Sequence, residues 1–318
     1  MNRLPILVIC CLISLHSFAQ SALDSVLQLP SFNGVVAISR KGNMQYLKSH
    51  GSANTEAHTP IRTNDQFIIG SVSKQVTAVL VLLAAEKGLV QLHTPIRKYL
   101  PDYPDAWADS VTLHQILNHT SGIVMWGKPL AFRPGSQFRY ATMSFSVAAD
   151  VLEKTSGKTY GELAAELFKR CGMLHTTAMA PAIKHLVTPY ENGKPVTFDY
   201  SRLPIPGGAI VSTAEDLTRW NQQLHTGKIL KDSSYRLMIT PSSARPAHRW
   251  GTVAYGYGIQ VLNDELSHNG YIGGFHTTCI WYPQQQLSLV ILENITQKPE
   301  DMDDTYRLQD KIREIVHP

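Results

Sequence analysis

The sequence has few cysteines and no spacing of ligands that is typical of a metal site. Cys10 and Cys11 lie near the start, and Cys171 and Cys279 lie in apolar surroundings, where a free cysteine behaves as a small hydrophobic residue. An oxidising compartment would permit a disulfide between the last two, but the sequence alone does not establish one. The 13 histidines form no His-x-x-x-His pattern, and no Cys-x-x-Cys occurs. We therefore expect no metal.

The sequence also has little net charge. Its formal charge is +4, charged residues make up 17%, and no block of Lys or Arg is present, so a nucleic-acid partner is not expected. With 318 residues, 43% of them hydrophobic, the chain can bury a substantial core as one large domain or two intertwined ones. The expected partner is a small-molecule or peptide substrate, and the oligomeric state stays open.

The first 20 residues, "MNRLPILVICCLISLHSFAQ", resemble a signal peptide. One basic residue precedes an apolar run from about Leu4 to Leu15, and small residues follow at Ser17 and Ala19. A membrane span needs about 20 apolar residues, and this run is shorter. We expect a signal peptide at residues 1–19, cleaved after Ala19, and an exported chain, periplasmic or secreted, with no stable membrane anchor.

Both ends of the remaining chain are rich in strand patterns. "FNGVVAISRKGNMQYLKSHG" predicts a hairpin that turns at residues 41–43, and "HTTCIWYPQQQLSLVILEN" predicts two strands separated by residues 283–286. The last segment has apolar residues at helical spacing, at Tyr306, Leu308, Ile312 and Ile315. The two ends are therefore expected to build one sheet.

The middle of the chain is mostly helical. Periodicity, capping residues and closing glycines predict helices over residues 76–87, 113–118, 144–155, 160–170 and 213–225. The resulting fold class is α+β, an α/β sandwich whose antiparallel sheet comes from both chain ends and is flanked by helices. We expect one domain at 20–318, with the α/β part at about 20–70 and 255–318 and the helical part at about 71–254.

The stretch "FIIGSVSKQVTAVLVLLAAEKGLV" places Ser71 and Lys74 at the start of an apolar helix. Positions i and i+3 share a helix face, so the hydroxyl and the amine would lie side by side. A serine hydroxyl needs a base to become a nucleophile, and a lysine serves when apolar surroundings lower its pKa. The helix start also offers N–H groups to a developing negative charge. The alternative is a helix cap followed by a surface lysine.

Further motifs carry a family resemblance: "LHQILNHTSGI", "FRPGSQFRYATMSFSVAADVLEKTSG", "PGGAIVSTAEDLTRW", "YGYGIQV" and "SHNGYIGGFHTT". In order and rough spacing, from about Phe32 to Asn294, the sequence resembles the serine β-lactamase and penicillin-binding superfamily, class C-like branch. That branch includes D-alanyl-D-alanine carboxypeptidases, D-aminopeptidases and esterases. The resemblance implies a β-lactamase/transpeptidase-like fold and acyl-enzyme chemistry.

The resemblance assigns roles to the first two motifs. It makes Ser71 the acylated nucleophile, Lys74 its proton-handling partner and Tyr140 a shuttle for the proton between Ser71 and the leaving group. The second motif is Tyr-x-Asn in the family, but Thr142 stands at the Asn position. In relatives that process β-lactams or peptides this Asn reaches the substrate amide, so its loss weakens the case for those substrates. His119, in "NHTSG", is interpreted as a structural residue that holds a loop.

The third motif, Lys-Thr-Gly in many relatives, corresponds to His268, Asn and Gly270. His268 is expected to donate to the tyrosine or to a substrate carboxylate, and a simple Asn-Gly turn is the alternative. By the resemblance, the backbone N–H groups of the nucleophile and of Tyr271 form the oxyanion hole. Gly273 and Gly274 are expected to let a strand edge approach the substrate.

Together these features predict an exported serine hydrolase that needs neither metal nor cofactor. Its expected substrate is a D-amino-acid peptide, as for a carboxypeptidase, or a small ester, ahead of a β-lactam. An alternative of another class is a penicillin-binding sensor or scaffold without turnover. A third is a chain that shares only the fold and has its site elsewhere. The stretch at about 181–206 is expected to border the cleft.

Overall fold

The computed structural model describes residues 20–317, so the predicted signal peptide, with Cys10 and Cys11, lies outside the described residues. The helices are α1 (residues 20–27), α2 (Ser73–Glu86), α3 (Leu113–Leu117), α4 (Ser144–Ser156), α5 (Tyr160–Arg170), α6 (Ala214–His225), α7 (Asp232–Ile239) and α8 (Met302–Val316). The strands are β1 (Gly34–Arg40), β2 (Asn43–His50), β3 (Ser52–Asn54), β4 (Thr59–Pro60), β5 (Phe67–Ile68), β6 (Tyr190–Glu191), β7 (Lys194–Pro195), β8 (Val211–Ser212), β9 (Ser243–His248), β10 (Gly251–Tyr255), β11 (Gln260–Leu262), β12 (Glu265–Ile272), β13 (Phe275–Tyr282), β14 (Leu287–Glu293) and β15 (Ile295–Thr296).

The main sheet has eight strands in the order β2-β1-β14-β13-β12-β11-β10-β9. All of its pairings are antiparallel. The predicted hairpin joins β1 to β2, and β1 then pairs with β14 from the other chain end, with Gly34 opposite Glu293 and Arg40 opposite Leu287. The prediction that both chain ends build one sheet is confirmed.

The sheet is covered by helices on both faces, and this explains why β1 has apolar side chains on both of its faces. Along β1, Val36 and Ile38 pack with residues of α1 and α8 in one core, while Val35 and Ala37 belong to the larger core on the other face. Successive side chains of a strand point to opposite faces, so both sets must be apolar. The α+β sandwich predicted from the sequence is confirmed.

Helix α2 runs through the larger core and is buried on nearly every face, which accounts for its lack of polar periodicity. Threonine side chains cap the N-termini of three other helices. Thr112 and Thr159 form capping boxes at the starts of α3 and α5, and the Thr213 hydroxyl accepts the Asp216 N–H of α6. The five helices expected between residues 76 and 225 are all present, and the largest difference is that α2 begins three residues early, at Ser73.

The main departure from the sequence analysis lies at residues 243–255. These were assigned to the helical part, whereas β9 and β10 belong to the main sheet. Pro246 is compatible with β9 because β9 is the outermost strand of the sheet, where a missing N–H is tolerated. Cys171 and Cys279 are both buried, and neither forms a disulfide within residues 20–317. Within residues 20–317, no helix is long and apolar enough to cross a bilayer.

Candidate active site

Ser71 lies on a one-turn 3-10 helix, Gly70–Val72, that leads directly into α2. This turn packs against the backbone of β12 with no side chain between them. Gly70 has a φ of +53°, and a Cβ there would lie 2.5 Å from the backbone nitrogen of Tyr271. A Cβ on Gly270 would overlap the carbonyl oxygen of Ile69. Glycine at both positions therefore brings the backbone next to Ser71 against the backbone next to Tyr271.

Lys74 is fully buried beneath Ser71. Its Nζ lies 2.9 Å from Ser71 Oγ, 2.5 Å from the Gly207 carbonyl oxygen and 3.3 Å from Thr142 Oγ1. Burial, reinforced by the nearby charge of Arg245, holds the pKa of Lys74 well below its usual value. A neutral amine here has two N–H groups for Gly207 and Thr142, which leaves its lone pair for the Ser71 hydroxyl.

Tyr140 completes the group around Ser71. Its ring centroid lies 4.8 Å from Lys74 Nζ and 4.9 Å from the guanidinium carbon of Arg245. Burial raises the pKa of Tyr140 to about 12, against the opposing effects of a hydrogen bond with Ser71 and of the Arg245 charge. The phenol is therefore protonated at neutral pH and can donate to a leaving group.

His268 lies on β12 beside Tyr140, with 6.4 Å between the ring centroids, but both of its ring nitrogens already have hydrogen-bond partners. It is buried, its Nδ1 lies 2.6 Å from the Asn269 carbonyl oxygen and its Nε2 lies 2.8 Å from Tyr255 Oη. Only a donor can meet the carbonyl, so Nδ1 carries the proton and Nε2 accepts from Tyr255. Burial, with the neighbouring Lys74, lowers the pKa of His268 to about 3. A neutral His268 with both nitrogens occupied has no proton to donate to Tyr140 or to a carboxylate.

Two other expectations for this strand need correction. His268 and Gly270 lie inside β12, so the alternative of an Asn-Gly turn is wrong. Gly273 and Gly274 form the two-residue turn between β12 and β13. Both have a positive φ, which such a turn requires and which favours glycine. Their close neighbours are the Phe198 ring and the backbone of Tyr190 rather than the cleft.

The segment at about 181–206 contacts Tyr271, which lines the cleft, but none of its own residues lines the cleft as the sequence analysis expected. The Tyr271 hydroxyl donates to Glu191, whose same carboxylate oxygen accepts the Gly274 N–H at 3.1 Å. Glu191 therefore ties β6 to the end of β12, where the predicted oxyanion N–H lies. Sequence patterns gave no indication of this residue.

The cleft in front of Ser71 has a volume of about 820 Å³. Ser71, Tyr140 and Thr142 line one side, and residues of β9 and of the approach to α8 line the other. Two arginines of β9 and its following turn face it. Arg249 donates to both carboxylate oxygens of Asp310. Arg245, by contrast, forms no hydrogen bond or ion pair within residues 20–317. Its segment, "SSARPAHRW", carries no motif that could have identified it.

A substitution at Gly70 tests the contact between its turn and β12. Gly70→Ala places a methyl group against β12, so kcat/KM for an ester is expected to fall about 10²- to 10³-fold as the two backbones separate. Gly88→Ala is the matched control, because Gly88 also has a positive φ, +74°, but a Cβ there meets nothing within 4 Å. It should lose about 1–2 kcal/mol of unfolding free energy with unchanged kinetics. Equal kinetics for both variants would contradict the proposed contact.

The chain matches the family described as Beta-lactamase over residues 26–314. It is 26% identical to the putative penicillin-binding protein PbpX of Bacillus subtilis, covering 83% of this chain and 71% of that protein. It is 26% identical to the esterase EstB of Burkholderia gladioli, covering 88% and 90%. Among solved structures, the hydrolase EstCE1 has a TM-score of 0.80 at 22% identity, covering 96% and 99%. A class C β-lactamase has a TM-score of 0.80 at 18% identity, covering 94% and 98%.

Proposed function

Because the chain belongs to the β-lactamase family and is a serine hydrolase, we propose that Ser71 forms an acyl-enzyme with a D-amino-acid peptide that carries a free terminal carboxylate. The observation that carries this proposal is the contact of Ser71 Oγ with the buried amine of Lys74, at 2.9 Å, at the wall of an open cleft. The leader pattern of residues 1–19 supports the further proposal that the enzyme works in the periplasm or outside the cell. Residues 20–318 then form the single mature domain.

In the first half of the reaction, neutral Lys74 accepts the proton of Ser71 as Oγ attacks the substrate carbonyl carbon. The oxyanion that forms is held by the backbone N–H groups of Ser71 and Tyr271. Tyr140 donates its proton to the departing amine, the carbon–nitrogen bond breaks, and Lys74 returns its proton to Tyr140. The products of this half are the acyl-Ser71 ester and a free D-amino acid.

In the second half, water takes the place of the leaving group. Tyr140 passes its proton to neutral Lys74 and takes a proton from the water as the water oxygen attacks the ester carbonyl, and the same N–H groups hold the oxyanion. Protonated Lys74 then gives its proton to Ser71 Oγ as the ester bond breaks, and the acid product is released. Every proton moves between groups of this chain, the substrate and water, so the sequence of steps balances without a cofactor.

Arg245 favours a substrate with a terminal carboxylate. It is a guanidinium at the cleft wall with no carboxylate partner within the described chain, and its charge lies close to Tyr140. Guanidinium groups bind carboxylates through paired, charge-assisted hydrogen bonds. His268, which was expected to take this part, is neutral and occupied, so Arg245 replaces it as the carboxylate-binding residue in the proposal.

The test compares a peptide that ends in D-alanyl-D-alanine with the same peptide as its C-terminal amide. Wild type is expected to prefer the free acid. Arg245→Ala should lower kcat/KM about 10- to 100-fold more for the acid than for the amide, because a hydrogen-bonded charge pair contributes about 1.5–3 kcal/mol and only the acid forms it, whereas any effect of the lost charge on Lys74 and Tyr140 is common to both peptides. Arg236→Ala, an exposed arginine on α7 outside the cleft, is the control. An equal loss on acid and amide would contradict carboxylate binding.

A small ester is the second candidate substrate. Thr142 stands where peptide-processing relatives have the Asn that reaches the substrate amide, and its hydroxyl is already in contact with Lys74. The named esterase among the similar proteins supports this candidate. Turnover of short-chain esters by wild type, with no release of D-alanine from either peptide, would favour the ester and reject the peptide.

A further inference from the structure

His119 occupies a strained position behind the cleft. It follows α3 with a φ of +62°, which is uncommon for a residue other than glycine, and it is fully buried. Holding a histidine in this left-handed conformation costs free energy, so the surrounding contacts must fix it there. The family motif placed His119 near the site, but only as a residue that holds a loop.

The contacts of His119 are directed at the two residues that flank Tyr140. Its carbonyl oxygen accepts the Arg139 N–H at 2.8 Å, and its Nδ1 accepts the Ala141 N–H at 3.2 Å. The backbone is therefore fixed immediately before and immediately after Tyr140. Since residue 142 also contacts Lys74, the same two bonds set the position of both cleft residues of this motif.

The imidazole ring also supports the tyrosine ring directly. The centroids of His119 and Tyr140 are 4.3 Å apart, with an angle of 35° between the planes. Behind the imidazole lie Phe145 at 5.4 Å and Tyr255 at 5.0 Å, so it cannot withdraw from Tyr140 without displacing packed rings. One residue thus controls both the backbone and the ring of Tyr140.

This arrangement requires a neutral imidazole. Because Nδ1 accepts from Ala141, the ring proton lies on Nε2, which is buried and has no hydrogen-bond partner among residues 20–317. Burial and the nearby Lys74, His268 and Arg245 lower the pKa of His119 well below its usual value. A protonated ring could not accept the Ala141 N–H.

We propose that His119 is a positioning residue that holds the Tyr140 phenol in line between Ser71 and the departing group. The inference deepens the proposed function and rests on it, because it takes Tyr140 as the proton donor. Removing the imidazole should therefore lower kcat/KM for substrates whose leaving group must be protonated as it departs. It should have little effect on kcat/KM for substrates whose leaving group departs as an anion.

The first experiment uses His119→Asn with ethyl butyrate and p-nitrophenyl butyrate. Asparagine tolerates the left-handed conformation and can keep the acceptor for Ala141, so the variant mainly loses the ring. We expect kcat/KM for the alkyl ester to fall about 10- to 100-fold, as for a misplaced catalytic group. The nitrophenyl ester, whose leaving group departs without a proton, should change less than about threefold. Equal losses on both esters would overturn the inference.

The second experiment is a double-mutant cycle with Tyr140→Phe on ethyl butyrate. If His119 acts through the phenol, adding His119→Asn to Tyr140→Phe should change kcat/KM by less than about twofold. Additive losses would mean that His119 acts independently of Tyr140 and would overturn the inference. His114→Asn, on α3 and hydrogen-bonded to Tyr257, controls for the loss of a nearby histidine outside the cleft.

Circular dichroism confirms that each variant is folded at the assay temperature. Failure of the proposed function has a separate signature: wild type, like Ser71→Ala, would neither release D-alanine from the peptide nor hydrolyse either ester faster than buffer, and the inference about His119 would fall with it. If wild type is active and the losses in the double-mutant cycle are additive, only the inference about His119 is overturned and the proposed function stands.

Discussion

Wild type is expected to form a covalent adduct with a penicillin, and replacing Ser71 by alanine is expected to remove that adduct and to lower hydrolysis by about four orders of magnitude or more. The reason is that the lone pair of Lys74 is directed at the Ser71 hydroxyl, whereas Thr142 accepts an N–H of the same amine, and removal of a nucleophile leaves only the contribution of binding and the oxyanion hole. Intact-protein mass over time, with a peptide map of the adduct, measures both the extent and the position of acylation.

Ser73→Ala is the matched control, because the motif offers two serines two residues apart. Ser73 is fully buried, donates to the Gly70 carbonyl oxygen at 2.7 Å and accepts the Ile210 N–H at 3.1 Å. Its loss should lower the unfolding free energy by about 1–3 kcal/mol and leave the adduct in place. An adduct that persists in Ser71→Ala would contradict the assignment and support a site elsewhere.

The lifetime of the wild-type adduct separates the remaining alternatives. An adduct that clears within seconds indicates a β-lactamase, and one that persists for hours while peptides or esters turn over indicates a peptidase or esterase. A persistent adduct with no turnover of any substrate would favour a sensor or scaffold. The mass measurement therefore tests the nucleophile and the functional class together.

Replacing Lys74 by methionine is expected to lower kcat/KM about 10²- to 10⁴-fold, the usual contribution of a general base. Lys74→Arg should be as inactive, although it keeps a cation, because a guanidinium stays protonated and cannot accept the Ser71 proton. Lys87→Met, exposed just beyond α2, is the control. Full activity of Lys74→Arg would contradict a role for Lys74 as the base.

The pH profile follows from the same side chain. Because the pKa of Lys74 is lowered, kcat/KM for wild type should fall as pH drops through that lowered value and be level above it. The free energy of unfolding depends on pH in the same direction. Between the folded and unfolded pKa values of Lys74 the unfolded chain binds more protons, so the free energy of unfolding rises with pH. Lys74→Met should remove that rise, and calorimetry across the pH range measures it.

The parts of the site that the sequence could predict are those fixed by local geometry. Ser71 and Lys74 are three residues apart at a helix start, so their contact follows from helical periodicity alone. The hairpin, the helix caps and the apolar strands at both chain ends likewise depend on neighbouring residues. Tyr140 required the family resemblance, because nothing local brings it to α2.

The parts that could not be predicted depend on tertiary contacts and on protonation. His268 carries the right motif, but the hydrogen bonds of its nitrogens with Tyr255 and Asn269 decide its tautomer, and burial decides its charge. Arg245 faces the cleft because β9 joins the sheet as its outermost strand, in a segment that the sequence analysis assigned to the helical part. A sequence pattern does not contain either fact.

The pairing of β1 with β14 has a consequence for how the molecule folds. Gly34 pairs with Glu293, so one of the central contacts of the sheet closes a loop of more than 250 residues. Proteins dominated by such distant pairings have a high contact order and fold slowly, because the entropy of the long loop is lost before the contacts compensate for it. Ser71 is synthesised well before the strand that carries Tyr271, the other residue proposed to hold the oxyanion. The hydrolase can therefore become active only after β12 has been synthesised, whatever its substrate.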